Sequence, residues 1–219
     1  MAKVIIFGTK DFAQLAHFYL TKDSEHEVAA FTVDKGFFNE TKFLGLPVIE
    51  FEEIEKRYPP EKYRMFIPMS PLKLNEVRAQ KYSEAKKKGY LFINYISSRA
   101  TYYDTAVGEN CFIFENNVIQ PFTKIGNNVV IWSGNHIGHH SVIGDNCFIT
   151  SHAVISGHVT IGDYSFLGVN CTIKDGITVA LKNIIGAGAL VTHNTKDYEV
   201  YPGNKSSASK ILSSELKDF

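Results

Sequence analysis

An aliphatic residue occupies every sixth position between residues 107 and 191, without a miss. A helix repeats every 3.6 residues and an isolated strand every two, so neither demands a period of six. A hexapeptide repeat does, because each unit is one short strand and one turn, stacked into a solenoid. The aliphatic residues are Val107, Ile113, Ile119, Ile125, Ile131, Ile137, Ile143, Ile149, Ile155, Ile161, Leu167, Ile173, Val179, Ile185 and Val191.

The other positions of the repeat agree with this interpretation. Glycine often follows the aliphatic residue, where we expect a tight corner that needs positive φ. Three places later most units have a small residue, and all three cysteines fall there. If three hexads make a coil, Cys111 and Cys147 lie two coils apart, roughly 10 Å, which is beyond disulfide reach. We therefore expect Cys111, Cys147 and Cys171 to be core fillers. The glycines are Gly108, Gly126, Gly138, Gly144, Gly162, Gly168 and Gly186.

The bulk composition is that of an ordinary globular protein. The chain has 219 residues, and its 23 lysines and arginines balance 23 aspartates and glutamates. No global attraction to nucleic acid or to an anionic membrane follows, and we expect neither as a partner. The N-terminal apolar run is too short for a signal peptide, and no stretch approaches about 20 apolar residues. A cytoplasmic location is the expectation.

The first 97 residues lack the period of six, and predicted strands and helices alternate along them. This order predicts a small parallel sheet with helices on its faces. The first turn, from Gly8 to Ala13, is similar to a dinucleotide-binding fingerprint but lacks the second and third glycines. An ordinary strand-to-helix turn and a phosphate contact therefore both stay open. The predicted strands are residues 4–7, 28–33, 65–69 and 91–96, and the predicted helices are residues 11–20, 52–58 and 71–88.

We predict three parts: an α/β domain at residues 1–97, a solenoid domain at 98–205, and a short helix or tail at 206–219. Within the solenoid domain the repeat begins at residue 107 and stops after 191. Four aromatic residues point outward from it, and we expect them to form a face that favours assembly, with Trp132 at a subunit contact. They are Phe114, Phe122, Trp132 and Phe148.

Five of the eight histidines fall within 23 residues. A coil of 18 residues would place His140 directly below His158 and His139 directly below Gly157. Such a cluster is typical of metal ligation, of general-base catalysis, or of turns without a chemical role. A neutral imidazole is suited to accept a proton at neutral pH, and we favour the general base. Zinc needs three or four converging ligands, and no acidic shell supports it, so no metal is expected. The five are His136, His139, His140, His152 and His158.

The repeat array, the segment Ile-Gly-His-His-Ser-Val-Ile-Gly at residues 137–144 and the preceding α/β part resemble one family. This is the bacterial sugar acyltransferases of the left-handed β-helix superfamily. More narrowly, the chain is similar to the sialic-acid O-acetyltransferase-like group, which includes N-acetyltransferases of UDP-linked 4-amino-sugars. The resemblance implies a Rossmann-like α/β domain followed by a left-handed parallel β-helix. The handedness rests on the resemblance alone, since the general rule for parallel crossovers favours right-handed winding.

The resemblance also implies a homotrimer with active sites between subunits, with acetyl-CoA as co-substrate and a corner histidine as general base. The matching histidine is His139, and His140 replaces the acid that often follows it. Gly157, Val169 and Ala187 match positions beside acetyl-CoA. The positions for a nucleotide-sugar are Gly8, Thr9, Lys10, Asp34, Lys35 and Ser70.

The function implied is acetyl transfer to the amino group of a nucleotide-linked amino-sugar. A UDP- or dTDP-4-amino-4,6-dideoxy sugar used in surface polysaccharide or O-antigen (lipopolysaccharide) biosynthesis is the expected substrate. Three alternatives stay open: O-acetylation of a sugar such as sialic acid, a metal-dependent β-helix hydratase, and a non-catalytic oligomeric scaffold that binds nucleotide.

Overall fold

The computed structural model describes residues 1–103, 105–203 and 205–215. Its N-terminal part is a six-stranded sheet in the order β3-β4-β2-β1-β5-β6, in which only the β3–β4 pair is antiparallel. The α/β arrangement predicted for this part is confirmed. The strands are β1 Lys3–Phe7, β2 Glu27–Val33, β3 Lys42–Phe43, β4 Leu46–Glu50, β5 Tyr63–Phe66 and β6 Leu91–Phe92.

The two faces of this sheet are both buried, which explains its continuous apolar strands. Along β1 the side chains alternate: Val4 and Ile6 pack towards helix α1, Asp11–Lys22, and Ile5 and Phe7 pack towards the opposite face. That opposite face is covered by the helices α2, Ile54–Arg57, and α3, Glu76–Lys87. Short 3-10 helices lie at Lys35–Phe37, Phe51–Glu53 and Ser213–Glu215.

Helix α3 begins five residues later than the sequence pattern predicted. The preceding Lys73, Leu74 and Asn75 have φ values of 49°, 51° and 67°. Such left-handed residues cannot continue an α-helix, so the segment after Pro71 is a turn. The predicted strand at 65–69 likewise ends at Phe66, and the predicted helix at 52–58 is divided between the second 3-10 helix and α2.

Residues 95–201 form a parallel β-helix of three sheets with two-residue strands. Paired strands lie 18 residues apart, except at the two ends, where Phe112 pairs with Tyr95 and Ile184 pairs with Val200. The first sheet has β7 Tyr95–Ile96, β10 Phe112–Ile113, β13 Val130–Ile131, β16 Phe148–Ile149, β19 Phe166–Leu167, β22 Ile184–Ile185 and β24 Val200–Tyr201. The second has β8 Thr101–Tyr102, β11 Val118–Ile119, β14 His136–Ile137, β17 Val154–Ile155, β20 Thr172–Ile173 and β23 Leu190–Val191. The third has β9 Ala106–Val107, β12 Lys124–Ile125, β15 Val142–Ile143, β18 Thr160–Ile161 and β21 Thr178–Val179.

The aliphatic residue of every hexad points inward, and the small residue four places later fills the space beside it. The solenoid therefore has one continuous apolar core, as the period of six predicts. All three cysteines are buried and free. Burial raises the pKa of each thiol to about 12, so none is a reactive thiolate. This agrees with their prediction as core fillers.

The corner glycines have a different role from the one predicted. None of the glycines that follow the aliphatic residue has positive φ; the left-handed residue comes two places later, with φ between 54° and 79°. The glycine is needed for close approach instead. A Cβ on Gly138 would lie 2.5 Å from the backbone nitrogen of Gly157 in the next coil. Glycine at this position lets successive coils stack.

The solenoid is longer than its aliphatic repeat. The predicted strand at 91–96 is two strands, of which β6 completes the α/β sheet and β7 begins the β-helix. The first coil therefore precedes residue 107, and β24 extends the first sheet beyond residue 191. The predicted C-terminal helix or tail is a single 3-10 turn within residues 205–215, and residues 216–219 lie outside the described part.

The outward aromatic residues do not form an exposed assembly face. Phe114 and Phe148 are buried, and Trp132 stacks on Phe114 with ring centroids 4.6 Å apart. Phe12 of α1 packs edge-on against Trp132 at 5.8 Å. The outer face of the first sheet is thus covered in part by this chain's own α1, which leaves Trp132 half-buried, and its subunit contact stays a prediction. Of the four, Phe122 is exposed, at 69 %.

A buried arginine fastens helix α3 to the solenoid. Arg78 is fully buried and donates hydrogen bonds to the backbone oxygens of Asn128, Asn146 and Cys147 and to the side chain of Asn75. No carboxylate pairs with it among the described residues. Burial lowers the pKa of its guanidinium to about 10. The charge is therefore stabilised by carbonyl dipoles and by the ring of Phe148, whose centroid lies 5.8 Å from the guanidinium.

The helices of the described residues are all too short or too polar to cross a bilayer.

Candidate active site

The histidine cluster lies at the corner between the second and third sheets. Residues 18 apart stack there in two neighbouring columns, one with His139 and Gly157, the other with His140 and His158. His140 and His158 take the left-handed position of their turns, with φ of 58° and 56°. This backbone conformation turns their rings to the outside of the corner.

His139 and His140 form a close pair. Their Nδ1 atoms are 3.1 Å apart, so one ring can donate a proton to the other. The backbone on which they sit is fixed from both neighbouring coils. The amide of His139 donates to Oε1 of Gln120 at 2.9 Å, and its carbonyl accepts from the amide of His158 at 2.9 Å.

The ring of His139 lies against Gly157. A Cβ on Gly157 would lie 2.8 Å from Cε1 and 2.9 Å from Nε2 of His139, closer than real side chains approach. It would also lie 3.0 Å from Oδ1 of Asp175, which follows in the same column. Within the described residues the amide of Gly157 donates no hydrogen bond. Nε2 of His139 thus lies close to Gly157.

The second column is a stack of rings. The rings of His140 and His158 are nearly parallel, 14° apart, with centroids 4.9 Å from each other. Phe122 covers the opposite side of His140 at 4.7 Å. His139, His140 and His158 each place one ring nitrogen within 4.8 Å of the others, and all three side chains are exposed.

The predicted acetyl-CoA positions do not meet at one corner of a single chain. Gly157 belongs to the corner between the second and third sheets, whereas Val169 and Ala187 belong to the corner between the first and second. Val169 and Ala187 are one coil apart and both exposed. Any ligand that contacts all three must cross the second sheet or lie between two copies of the chain.

The predicted nucleotide-sugar positions lie just after the carboxyl ends of strands β1 and β2 and in the segment that follows β5. Gly8 has a φ of 106°, and its amide donates to the carbonyl of Thr32 at 2.7 Å. Thr9 and Lys10 follow it and lead into α1, and Ser70 lies in the turn before α3. Ligands of open parallel sheets bind at this edge.

Asp34 and Lys35, at the end of β2, both have partners within this chain. Asp34 forms an ion pair with Lys81 at 2.8 Å, and the amide of Lys35 donates to the carboxylate of Glu52 at 3.0 Å. An open groove beside them is lined by Asp34, Phe51, Glu52, Lys81, Glu84, Lys87 and Lys88. No sequence pattern points to Lys81, since only the fold brings α3 to the end of β2.

The two predicted sites lie on different sides of the chain. The α/β part packs through α1 on the first sheet of the solenoid, and the histidine corner joins the other two sheets. Counting in steps of 18 from His139 finds Gly157 and also Asp175, which the sequence reasoning missed. Gln120 was missed too, because its side chain accepts from the amide of His139, which lies 19 residues away rather than the 18 of one coil.

The repeats match known family models. Residues 104–139 and 122–157 match the bacterial transferase hexapeptide (six repeats), and residues 158–193 match the hexapeptide repeat of succinyl-transferase. A comparison with curated protein sequences finds no match.

The whole fold is similar to solved structures of acetyltransferases. A variant of perosamine N-acetyltransferase from Caulobacter crescentus, in complex with CoA and GDP-perosamine, is 22 % identical with a TM-score of 0.80; the match covers 91 % of each chain. The acetyltransferase domain of PglB from Neisseria gonorrhoeae is 20 % identical with a TM-score of 0.78, over 91 % of this chain and 96 % of that one. WeeI from Acinetobacter baumannii is 21 % identical with a TM-score of 0.69, over 93 % and 97 %. These matches confirm the predicted fold, an α/β part followed by a left-handed β-helix.

Proposed function

We propose that this protein is an acetyl-CoA-dependent N-acetyltransferase that acts on the amino group of a nucleotide-linked amino-sugar. The observation that carries the proposal is the pairing of His139 with His140 beside the amide of Gly157, at a corner of a hexapeptide β-helix. The complex of the Caulobacter relative with CoA and GDP-perosamine supports the same substrate classes for this fold.

In the proposed reaction the sugar amine attacks the acetyl carbonyl and His139 accepts the amine proton at Nε2. Nδ1 of His139 keeps its proton and donates a hydrogen bond to Nδ1 of His140, which fixes the tautomer of His139 and stabilises its imidazolium. The amide of Gly157 donates to the oxyanion. The tetrahedral intermediate then collapses, the C–S bond breaks, and CoA leaves as a thiol that takes the proton from His139. The enzyme forms no covalent bond.

The proposed enzyme is a homotrimer. In one chain the nucleotide-sugar positions and His139 lie on different sides of the solenoid, and Gly157 is separated from Val169 and Ala187 by the second sheet. A neighbouring copy would bring a second set of these residues to the histidine corner. Acetyl-CoA would then lie between subunits, with the thioester beside Gly157 and the pantetheine against Val169 and Ala187.

The nucleotide-sugar would bind at the edge of the α/β sheet. The turn at Gly8, Thr9 and Lys10 suits a phosphate, because α1 begins there with free amides. Asp34, Lys35 and Ser70 flank this turn on the neighbouring strand ends. Residues 1–97 would thus supply the sugar nucleotide and residues 98–205 the transfer chemistry, as a cytoplasmic step of surface polysaccharide biosynthesis.

A substrate screen tests the proposal. UDP-, dTDP- and GDP-linked 4-amino-sugars are offered with acetyl-CoA while thiol release is followed, and each is paired with the corresponding 4-hydroxy sugar. We expect turnover with a 4-amino-sugar, with a UDP or dTDP carrier preferred. Turnover of the hydroxy sugar alone would establish O-acetylation, and the absence of acetyl-CoA binding would favour a scaffold.

The His139→Ala variant tests the mechanism. We expect it to bind acetyl-CoA nearly normally, since the ring contacts only the reacting end, and to turn over at least about tenfold more slowly. Isothermal titration and steady-state kinetics measure the two effects separately. Unchanged turnover would contradict the assignment of His139 as the base.

A further inference from the structure

We infer that His139, His140 and His158 form a binding site for a transition-metal ion such as Zn²⁺. Three imidazoles on two successive coils each place a ring nitrogen within 4.8 Å of the others, and all are exposed. Zinc and nickel are bound readily by imidazole, whereas Mg²⁺ and Ca²⁺ require oxygen ligands. The site takes three protein ligands and leaves a fourth position for water.

The spacing of the nitrogens suits this ion. Ligands about 2.0–2.1 Å from a tetrahedral zinc lie roughly 3.4 Å from each other. The Nδ1 atoms of His139 and His140 are already 3.1 Å apart. His158 needs only a rotation of its side chain, because the hydrogen bond from its amide to the carbonyl of His139 fixes its backbone.

The surroundings favour a cation as well. Phe122 lies against one side of His140, which limits the orientations of that ring. The carboxylate of Asp175 lies on the far side of Gly157, and no lysine or arginine of the described residues pairs with it. The stacking of the coils thus brings the three imidazoles together on a backbone that is already fixed.

Metal binding has a chemical consequence at His139. An imidazole that binds a metal through Nδ1 carries its proton on Nε2. The metal would thus replace the Nδ1 hydrogen bond with His140 and hold His139 in the tautomer whose ring proton is on Nε2, the atom that would otherwise accept the amine proton. Zn²⁺ would then inhibit acetyl transfer, a consequence that rests on the proposed function, whereas the binding itself does not.

Calorimetric titration of the full-length, chelator-treated protein with ZnCl₂ tests the site. We expect one zinc per chain, with His158→Asn at least tenfold weaker and MgCl₂ giving no signal. His152→Asn is the matched control, because His152 is also exposed and left-handed, with φ of 59°, but lies at another corner. Asparagine suits this backbone conformation, so both variants should fold.

The inference would be overturned if the wild-type protein bound no zinc at about 100 µM, a concentration that is high enough to reveal a weak site. Equal weakening by His152→Asn, or full binding by His158→Asn, would overturn it too. Failure of the acetyltransferase assay leaves this result untouched, because the titration contains neither substrate. Conversely, if the protein transfers acetyl groups but binds no zinc, the proposed metal site is wrong and the proposed function stands.

Discussion

Nδ1 of His139 lies 3.1 Å from Nδ1 of His140, so the residue that follows the proposed base is also its hydrogen-bond partner. An acid often occupies this position in the family that the sequence resembles. An imidazole acceptor can serve the same purpose while it stays neutral, since it only has to receive the Nδ1 proton of its neighbour. In the proposed mechanism His140 thus takes over the orienting role of the acid.

The His140→Gly variant should lower kcat/KM by about tenfold to a hundredfold, because His139 loses the acceptor that fixes its tautomer. Glycine fits the left-handed backbone there, with φ of 58°. His140→Asn should restore much of the activity, since its Oδ1 atom takes the place of Nδ1. Steady-state kinetics compares the two variants, and equal loss in both would indicate a merely structural role.

Gly157→Ala should reduce turnover by at least about tenfold with little loss of stability. The new Cβ would collide with the exposed ring of His139, which can swing aside, and the backbone of Gly157 has ordinary φ. Combining this change with His139→Ala tests the route of the effect. The double variant should be no slower than His139→Ala alone; an additive loss would mean that Gly157 acts independently of the ring.

Arg78→Met should lower the free energy of unfolding by about 3 kcal/mol, because the carbonyls that accept from Arg78 stay buried without donors. The melting temperature should fall by roughly 6–12 °C for a chain of this size. Arg57→Met is the control, since Arg57 is exposed. Denaturant titration measures both. A loss equal to that of the control would show that the carbonyls find other donors.

Asp23 should make stability depend on pH in the acid range. Hydrogen bonds from Ser98, Tyr95 and Ser97 hold its pKa below the ordinary 3.8. Because the folded pKa is the lower one, this stabilisation is complete above pH 3.8 and is lost as the pH falls through the folded value. Asp23→Asn should cost about 1 kcal/mol at pH 7.

The cost of Asp23→Asn should shrink as the pH falls, so that its melting curve and that of the wild type converge. Glu61→Gln, an exposed change, should follow the wild type throughout. Thermal melts between pH 2 and 7 give the comparison. A constant difference between Asp23→Asn and wild type across this range would mean that the charge of Asp23 contributes nothing.

The period of six was enough to predict the solenoid, its core residues and the stacking of His140 under His158, because the coils between residues 106 and 191 repeat the same geometry. It could not predict where Phe114, Trp132 and Phe148 pack. That depends on α1 lying over the first sheet, a long-range contact that no local pattern encodes. The ion pair of Asp34 with Lys81 could not be predicted from the sequence for the same reason.

Where a local pattern failed, competing backbone preferences explain it. The polar segment at residues 71–88 has helical composition, but three consecutive left-handed residues delay α3 to Glu76. The corner glycines were assigned positive φ, whereas the structure uses them for contact between coils and gives the left-handed conformation to residues such as Asn110 and His140.

The coil length of 18 residues also determines which changes in the length of the solenoid keep its columns aligned. Removing one hexad would carry every later residue to the next side of the prism, so that Gly157 would no longer stand over His139. Removing or duplicating three hexads above the histidine corner would return each residue to its own column. Length could therefore change by whole coils while the imidazoles keep their position relative to Gly157.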